Sequence, residues 1–366
     1  MSSRDGASAF DEHRRYPAGM MERDLSRYAR QIRLPDLGEA GQRKLLASRV
    51  FICGCGALGT VLAETLARAG VGFIRLVDRD FVEATNLQRQ VLFDEQDIAD
   101  ELPKAIAAAR KLGRINRDVT VEPIVADVEH TNVLEFARGT DLILDGTDNF
   151  ETRFLLNDAS LELRIPWIYA GCIATHGQTM TVLPGETACL RCLIDTAPVP
   201  GTMETCDTAG ILGPTVNVIA SLQAVNALKL LAGRVELIEP VLAIVDVWDF
   251  TLRKMSVRNL RERANCPACM GGERLWLSGR QGSQTTVLCG RNAVQVSPPD
   301  RTPLRFDELS EKLAPLGRVT SNPFLLRFAP GDSDFELTAF PDGRVIVRGT
   351  DDPAIARGLC ARYIGH

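Results

Sequence analysis

The sequence predicts an α/β protein: a Rossmann-like, doubly wound mixed sheet with a structural zinc site, followed by a small C-terminal α/β module. Three observations carry that reading. A glycine loop, "GCGALG", sits between a strand-like run, "RVFICG", and a helical run, "ALGTVLAETLARAG". Strand-like and helix-like segments alternate after it, a pattern that favours parallel pairing through right-handed crossovers. Two Cys-x-x-Cys pairs, "CLRC" and "CPAC", offer four thiols at metal-ligand spacing.

Along the chain, residues 1–24 are polar, lack an apolar signal-peptide core and are expected to form a flexible arm. "DLSRYARQIRLPDLGEAGQRKLLA" reads as helical and leads into the first strand. "FIRLVD" completes a βαβ unit, and "LPKAIAAARKLGRIN" is a helix before strand "TVEPIVAD". "TDLILDGTDN" is a strand with a polar carboxyl end, "FETRFLLNDASLELR" a helix and "PWIYAG" a strand. "CIATHGQTMTVLPG" alternates as antiparallel strands do, so the sheet is expected to be mixed.

The apolar run "TVNVIASLQAVNALKLLAG" carries Asn217, Gln223, Asn226 and Lys229 and reads as a buried helix rather than a membrane span. After "NCPACMGGERL" the texture changes. "TTVLCGRNAVQV", "RFDELSEKLAPLG", "PFLLRFAP", "DFELTAFPDGRVIVRG" and "DPAIARGLCARYIG" read as strand, helix, three strands with a Pro-Asp-Gly turn, and helix. The expected division is an arm (1–24), a nucleotide-binding domain (25–270) and a module (271–366).

The 366 residues carry a formal net charge of −5 and contain no block of like charge. That balance argues against a dedicated nucleic-acid or membrane-surface binder. A cytoplasmic protein is expected, in which ten cysteines mean thiols and metal ligands rather than a disulfide framework.

Gly54, Gly56 and Gly59 fit G-x-G-x-x-G, which permits a tight turn and lets backbone N–H groups at a helix N-terminus approach a phosphate. The bland alternative is a strand–helix packing turn. Asp78 ends the next strand about 20 residues on, where an acidic side chain takes ribose hydroxyls. Asn86 and Arg89 in "NLQRQ", Lys104 in "LPKAI", and Asp145 and Asp148 in "DGTDN" all fall near strand ends. A dinucleotide needs few cations there, whereas a triphosphate with Mg²⁺ needs cations and a metal carboxylate, so the set leans towards ATP. Cys53 and Cys55 are expected on opposite sides of the strand end, with no chemistry.

Together, "RYARQIRLPDLGEAGQ", "GCGALG", "LVDRDFVEATNLQRQ", "LPKAIAAARKLGRIN", "DGTDNFETRFLLND" and "CDTAGILGPTVNVIASLQAVNALKLLAG" resemble the ThiF/MoeB family, relatives of ubiquitin-activating enzymes. The resemblance spans roughly residues 25–270 in unbroken order. It implies ATP-dependent adenylation of the C-terminal Gly-Gly carboxylate of a small ubiquitin-like sulfur carrier, with release of pyrophosphate. By position, Asp78 would hold the ribose, Asn86, Arg89 and Lys104 the phosphates, and Asp148 Mg²⁺. Arg30 would reach the phosphates of a neighbouring subunit, which implies a homodimer.

Cys189, Cys192, Cys266 and Cys269 match a tetrahedral structural Zn²⁺ site. One pair alone would be ambiguous with a redox motif, and the family carries zinc at these positions. A nucleic-acid zinc ribbon competes, but the acidic balance and the missing basic stretch disfavour it. Cys206, in "METCDTAGILGP", matches a cysteine that in some members links covalently to the activated carrier. The alternative is a loop thiol without an essential role. The "GILGP" glycines are expected to shape the loop that admits the carrier's tail.

Cys172, Cys289 and Cys360 are expected in the core, and His176 is expected packed or at the surface. The rival functions are an NAD(P)-dependent oxidoreductase on the same loop, a tRNA-modifying relative that adenylates a small-molecule carboxylate, and a non-catalytic partner-binding module. Thiamin, molybdenum cofactor, tRNA thiolation and protein-conjugation systems all use such activators. No rhodanese signature is evident, so a separate sulfur donor is expected. The tail, with "FPDGRVIVRGTDD" and "ARYIG", resembles an extension on some ThiF enzymes, which tilts the pathway towards thiamin.

Overall fold

The computed structural model describes residues 25–195, 209–280, 285–288, 291–297, 304–331 and 333–364; the expected arm lies outside them. The stretch read as one helix before the first strand is broken. A 3₁₀ turn (Ser26–Tyr28) and a short helix (Ala29–Ile32) precede helix α1 (Gly38–Ala47). Pro35 restricts the residue before it, and Gly38 takes φ +60, so the helix restarts rather than continues.

Strand β1 (Arg49–Cys53) is buried from Val50 onward. Val50 and Ile52 enter one apolar layer, whereas Phe51 and Cys53 enter the other. Period-two alternation serves two cores because both sheet faces are covered. There follow α2 (Ala57–Ala69), β2 (Phe73–Val77), α3 (Lys104–Ile115), β3 (Thr120–Ile124) and β4 (Leu142–Asp145). Next are α4 (Phe150–Leu163), β5 (Trp167–Ile173), β6 (His176–Val182), α5 (Gly213–Leu231), β7 (Val241–Asp246) and β8 (Thr251–Ser256).

The eight strands run in the order β3-β2-β1-β4-β5-β6-β7-β8. Pairing is parallel from β3 through β5 and antiparallel from β5 through β8. The change of sense follows from chain length. Only Ala174 and Thr175 join β5 to β6, which allows a hairpin but no crossover.

Helices α2 and α5 pack on one face, with Leu62, Leu66, Ile219 and Ala224 in a common cluster. Helix α4 fills the other through Phe154, Leu156 and Ala159. Buried Gln223 of α5 donates to the carbonyls of Asp145 (3.0 Å) and Ile168 (3.1 Å), so its amide nitrogen is satisfied by β4 and β5 and ties the helix to both strands. None of the described helices is long and apolar enough to cross a membrane.

This first core runs past residue 271. Trp276 stacks on Phe154 (centroids 4.3 Å apart), and its backbone N–H donates to Asp158 (3.0 Å). Beyond it lies a six-stranded antiparallel sheet. Its members are β9 (Thr285–Leu288), β10 (Ala293–Val296), β11 (Gly317–Ser321), β12 (Leu326–Pro330), β13 (Glu336–Ala339) and β14 (Val345–Arg348), with helices α6 (Phe306–Leu313) and α7 (Pro353–Tyr363). The order is β11-β12-β13-β14-β10-β9. Leu313, Phe328, Leu337, Val347 and Tyr363 share its core.

The run "TTVLCGRNAVQV" proves to be a hairpin rather than one strand. Strand β11 was not anticipated, because "GRVTS" is half-exposed or exposed throughout and shows no apolar alternation. The Pro341-Asp342-Gly343 turn links β13 to β14 as expected, with Gly343 at φ +87.

The second sheet abuts the first beyond β2. Phe81, 3% exposed, packs with Ala293, Leu325, Phe340 and Ile346. The guanidinium of Arg327 lies 4.1 Å and that of Arg348 5.1 Å from its ring centre, which adds cation–π attraction to the apolar contact. Arg348 also pairs with Glu83, and Arg327 with Glu101 (3.2 Å).

Candidate nucleotide cleft and four-cysteine cluster

The carboxyl ends of β1, β2 and β4 surround a cleft, open to solvent, at the crevice where strand order reverses between β1 and β4. The glycine loop shapes its floor. Gly54 takes φ +91, and a Cβ there would meet the Gly146 carbonyl oxygen at 2.7 Å. Gly56 caps α2 and faces the cleft; a Cβ there would have Gln90 Nε2, 3.9 Å away, as its nearest neighbour. The first glycine permits the turn, while the second keeps the approach to the helix N-terminus clear.

Six of the expected nucleotide residues line this cleft: Gly54, Gly56, Asp78, Arg89, Lys104 and Asp148. Three do not. Gly59 packs behind the loop, Asn86 is buried with its Oδ1 accepting from the Glu83 backbone N–H (3.3 Å), and Arg30 is exposed away from this chain's cleft. Cys206 lies outside the described residues.

Charge in the cleft is closely balanced. Asp78 Oδ2 accepts from the Cys55 backbone N–H (2.5 Å) and Oδ1 from that of Asp80 (2.7 Å), which ties the end of β2 to the glycine loop. Burial raises its carboxyl pKa above the ordinary value, against the pull of Lys104. Lys104, only 3% exposed at its side chain, sits 3.2 Å from Asp80 Oδ2. Burial alone would raise Asp80, but Lys104, Arg291 and Arg79 together hold it far below the carboxylate range. Arg79 is bound through Nη1 to both Asp127 oxygens at 3.0 Å. Deeper in, burial raises Asp145 despite the Arg153 guanidinium 3.6 Å away, and Arg153 donates to the Thr147 carbonyl (2.7 Å).

Arg79, Asp80, Gln90, Asp127, Arg153 and Arg291 also line the cleft and were not anticipated. Arg79 and Asp80 directly follow Asp78, and Asp127 follows β3, so their position at strand ends was a usable signal. Arg291 carried none, since it belongs to the second sheet. The expectation of three core thiols is corrected at Cys172, which is half-buried and lines the cleft because β5 ends there. Cys360 is buried in the second core, and Cys289 lies outside the described residues.

Cys53 and Cys55 enter opposite apolar layers, because the positive φ of Gly54 ends the strand alternation between them. Burial pushes both thiols well up. His176 is exposed, 3.2 Å from Asp246.

On the other face, Cys189, Cys192, Cys266 and Cys269 converge with all four sulfurs within 4.8 Å of one another. Sulfur separations are 3.8 Å (Cys189–Cys192), 3.8 Å (Cys189–Cys266) and 3.5 Å (Cys192–Cys269). A tetrahedron with metal–sulfur bonds of about 2.3 Å has edges of about 3.8 Å, so the cluster fits Zn²⁺. Helix α4 braces it: Asn157 Oδ1 accepts from the Leu190 N–H (2.9 Å), and Asp158 holds the Trp276 and Leu277 N–H groups.

A glycine loop, an acidic strand end and cations thus surround one switch-point cleft in an α/β protein with a mixed parallel and antiparallel sheet. Residues 28–268 match the profile described as the ThiF family, and the chain belongs to that family. The sulfur carrier protein ThiS adenylyltransferase of Bacillus subtilis (strain 168) is 42% identical over 340 residues, 93% of this chain and 99% of its own. The SAMP-activating enzyme E1 of Haloferax volcanii is 40% identical over 248 residues, 68% of this chain and 90% of its own. The Escherichia coli (strain K12) sulfur carrier protein ThiS adenylyltransferase is 39% identical over 253 residues, 69% and 98% of the two chains. Among solved structures, E. coli MccB with MccA-N7isoASN shares the fold (TM-score 0.59, 23% identity, covering 69% of this chain and 77% of that one).

Proposed function

We propose that this chain is an ATP-dependent adenylyltransferase acting on the C-terminal Gly-Gly carboxylate of a ubiquitin-like sulfur carrier, in sulfur transfer for thiamin or molybdenum cofactor biosynthesis. The observation that supports it is the convergence of Gly56, Asp78, Arg89, Lys104 and Asp148 on one cleft. A hydride-transferring enzyme would leave Arg89, Lys104 and Asp148 without a shared task.

In the reaction a carrier carboxylate oxygen attacks the α-phosphorus of ATP, the bond to the β-phosphate bridging oxygen breaks, and pyrophosphate leaves. The chain's residues work by positioning and electrostatics. The N–H groups at the start of α2 face the phosphates, Asp78 takes the ribose hydroxyls, and Arg89 and Lys104 offset phosphate charge. Asn86, behind the cleft, braces the Arg89 turn. Gly59 holds the loop. Asp148, an exposed carboxylate within electrostatic reach of Arg79 and Arg153, would hold Mg²⁺, which screens phosphate charge when bound.

Zn²⁺ on Cys189, Cys192, Cys266 and Cys269 would staple two remote segments and take no part in the chemistry. Arg30 is proposed to serve a partner subunit's cleft in a homodimer. Cys206 is proposed as the thiol that accepts the activated carrier, and a separate protein as sulfur donor. The second sheet is proposed as a distinct module, with residues 271–280 packing on the adenylation core, and the protein as cytoplasmic.

The test is ATP–pyrophosphate exchange with a carrier ending in Gly-Gly. Carrier-dependent exchange, abolished when the terminal glycine is removed, is the expected result. ATP-insensitive protein that binds NADH would overturn the proposal.

A further inference from the structure

Asp80 stands between two parts of the chain. Its Oδ2 lies 3.2 Å from Lys104 Nζ, on the helix that follows β2, and 3.6 Å from an Arg291 Nη1 that comes from the second sheet. Arg79 Nε approaches the other oxygen at 3.8 Å. Three cations thus share one mostly buried carboxylate at the wall of the nucleotide cleft, and all of these groups line it. Asp78, Asp127 and Asp148 are the other acids lining it, and Asp127 is already claimed by Arg79 and by Gln295 of β10.

Arg291 is brought to this place by docking rather than by its own strand. The Arg291 N–H closes the hairpin turn onto the Leu288 carbonyl (3.1 Å), and the Gly349 N–H donates to the Asn292 carbonyl (2.7 Å). The sheet is then held against the cleft by Gln295 on Asp127, Arg348 on Glu83, and Asn322 Nδ2 on the Glu101 carbonyl (3.1 Å).

We infer that Arg291 is a positioning residue for nucleotide binding: it holds the Asp80 carboxylate so that Lys104 can leave it for an incoming polyphosphate. The inference rests on the reading of the cleft as an ATP site. Lys104 is buried against Asp80, and turning it towards phosphate would strip a counter-ion from a carboxylate that has little water to replace it. With Arg291 on the same oxygen, Asp80 remains paired and the exchange costs little. Without Arg291, Asp80 keeps Lys104 for itself, and the phosphates lose it. The second sheet is thereby part of the nucleotide site, acting through one shared carboxylate.

The experiment is ATP titration by calorimetry, together with steady-state exchange, on the full chain. Arg291→Ala is expected to raise the ATP Kd and KM about tenfold while kcat at saturating ATP changes less than about twofold. Arg291→Lys, which keeps the charge, should recover most of the affinity. In an Asp80→Asn background, where the carboxylate that Arg291 and Lys104 share is gone and only Asp78 still attracts Lys104, Arg291→Ala should leave the ATP Kd unchanged.

Wild-type affinity in Arg291→Ala overturns the inference alone. So does an equal loss in the Asp80→Asn background, which would make Arg291 a direct ligand. Failure of the wild-type chain to bind ATP overturns the reading of the cleft itself. The Ala and Lys variants of half-exposed Arg291, checked by thermal unfolding, decide the matter even if Asp80→Asn does not fold.

Discussion

Gly59 packs so tightly behind Gly54 that a Cβ on it would lie 1.9 Å from the Gly54 carbonyl oxygen, whereas Gly56 faces open cleft. The glycines of one loop therefore do different work. Gly59→Ala is expected to cost about 3 kcal/mol of stability through overpacking against backbone that cannot yield. Gly56→Ala should unfold at the wild-type urea midpoint yet bind ATP more weakly, because its methyl occupies the approach to the helix N-terminus. Equal destabilisation of the two variants would contradict this division.

Asp148 and Lys104 should separate activity from stability. Asp148 is exposed, so Asp148→Ala is expected to unfold within about 0.5 kcal/mol of wild type while exchange falls by about 10²–10³. Lys104→Met should lose activity and stability together, since it leaves a mostly buried Asp80 with fewer counter-charges. Chemical denaturation beside exchange assays reads both quantities.

The four-cysteine cluster should contain about one Zn²⁺ per chain by elemental analysis. Cys266→Ser is expected to lower metal content and the unfolding temperature, with ATP affinity preserved in whatever fraction remains folded, because the cluster lies on the sheet face opposite α2 and α5. Full metal content in that variant would argue against tetrahedral ligation.

Acid should weaken the protein partly through Asp80. Its folded pKa is depressed by Lys104, Arg291 and Arg79 against the effect of burial. Its contribution is therefore fully present above the unfolded value of about 3.9 and is lost as pH falls from there towards the folded value. The stability difference between wild type and Asp80→Asn should stay constant above about pH 5 and shrink below it. Urea midpoints from pH 3 to 7 measure this.

Thiol labelling near neutral pH should spare Cys53 and Cys55, which are buried and have strongly raised pKa values, and should reach Cys172 at the cleft. ATP is expected to slow the Cys172 reaction. Peptide-resolved mass spectrometry distinguishes the three, and equal rates with and without ATP would place the nucleotide elsewhere.

Much of this could be read along the chain. The βαβ order, the loop at Gly54 and Gly56, Asp78 at its strand end and the two cysteine pairs depend on local spacing, and local spacing is what periodicity and short motifs record. The break around Pro35 was missed, because the helical composition on either side of it concealed the signal. Strand β11 was missed too, because its pattern is polar and its partner, β12, supplies the reason it is a strand.

What the tertiary structure alone decided is which distant residues meet. Arg291 finds Asp80, and Gln295 finds Asp127, only because the two sheets dock in one arrangement. No period in the sequence announces such a meeting, since its energy comes from burial and charge pairing between segments that the chain itself keeps far apart.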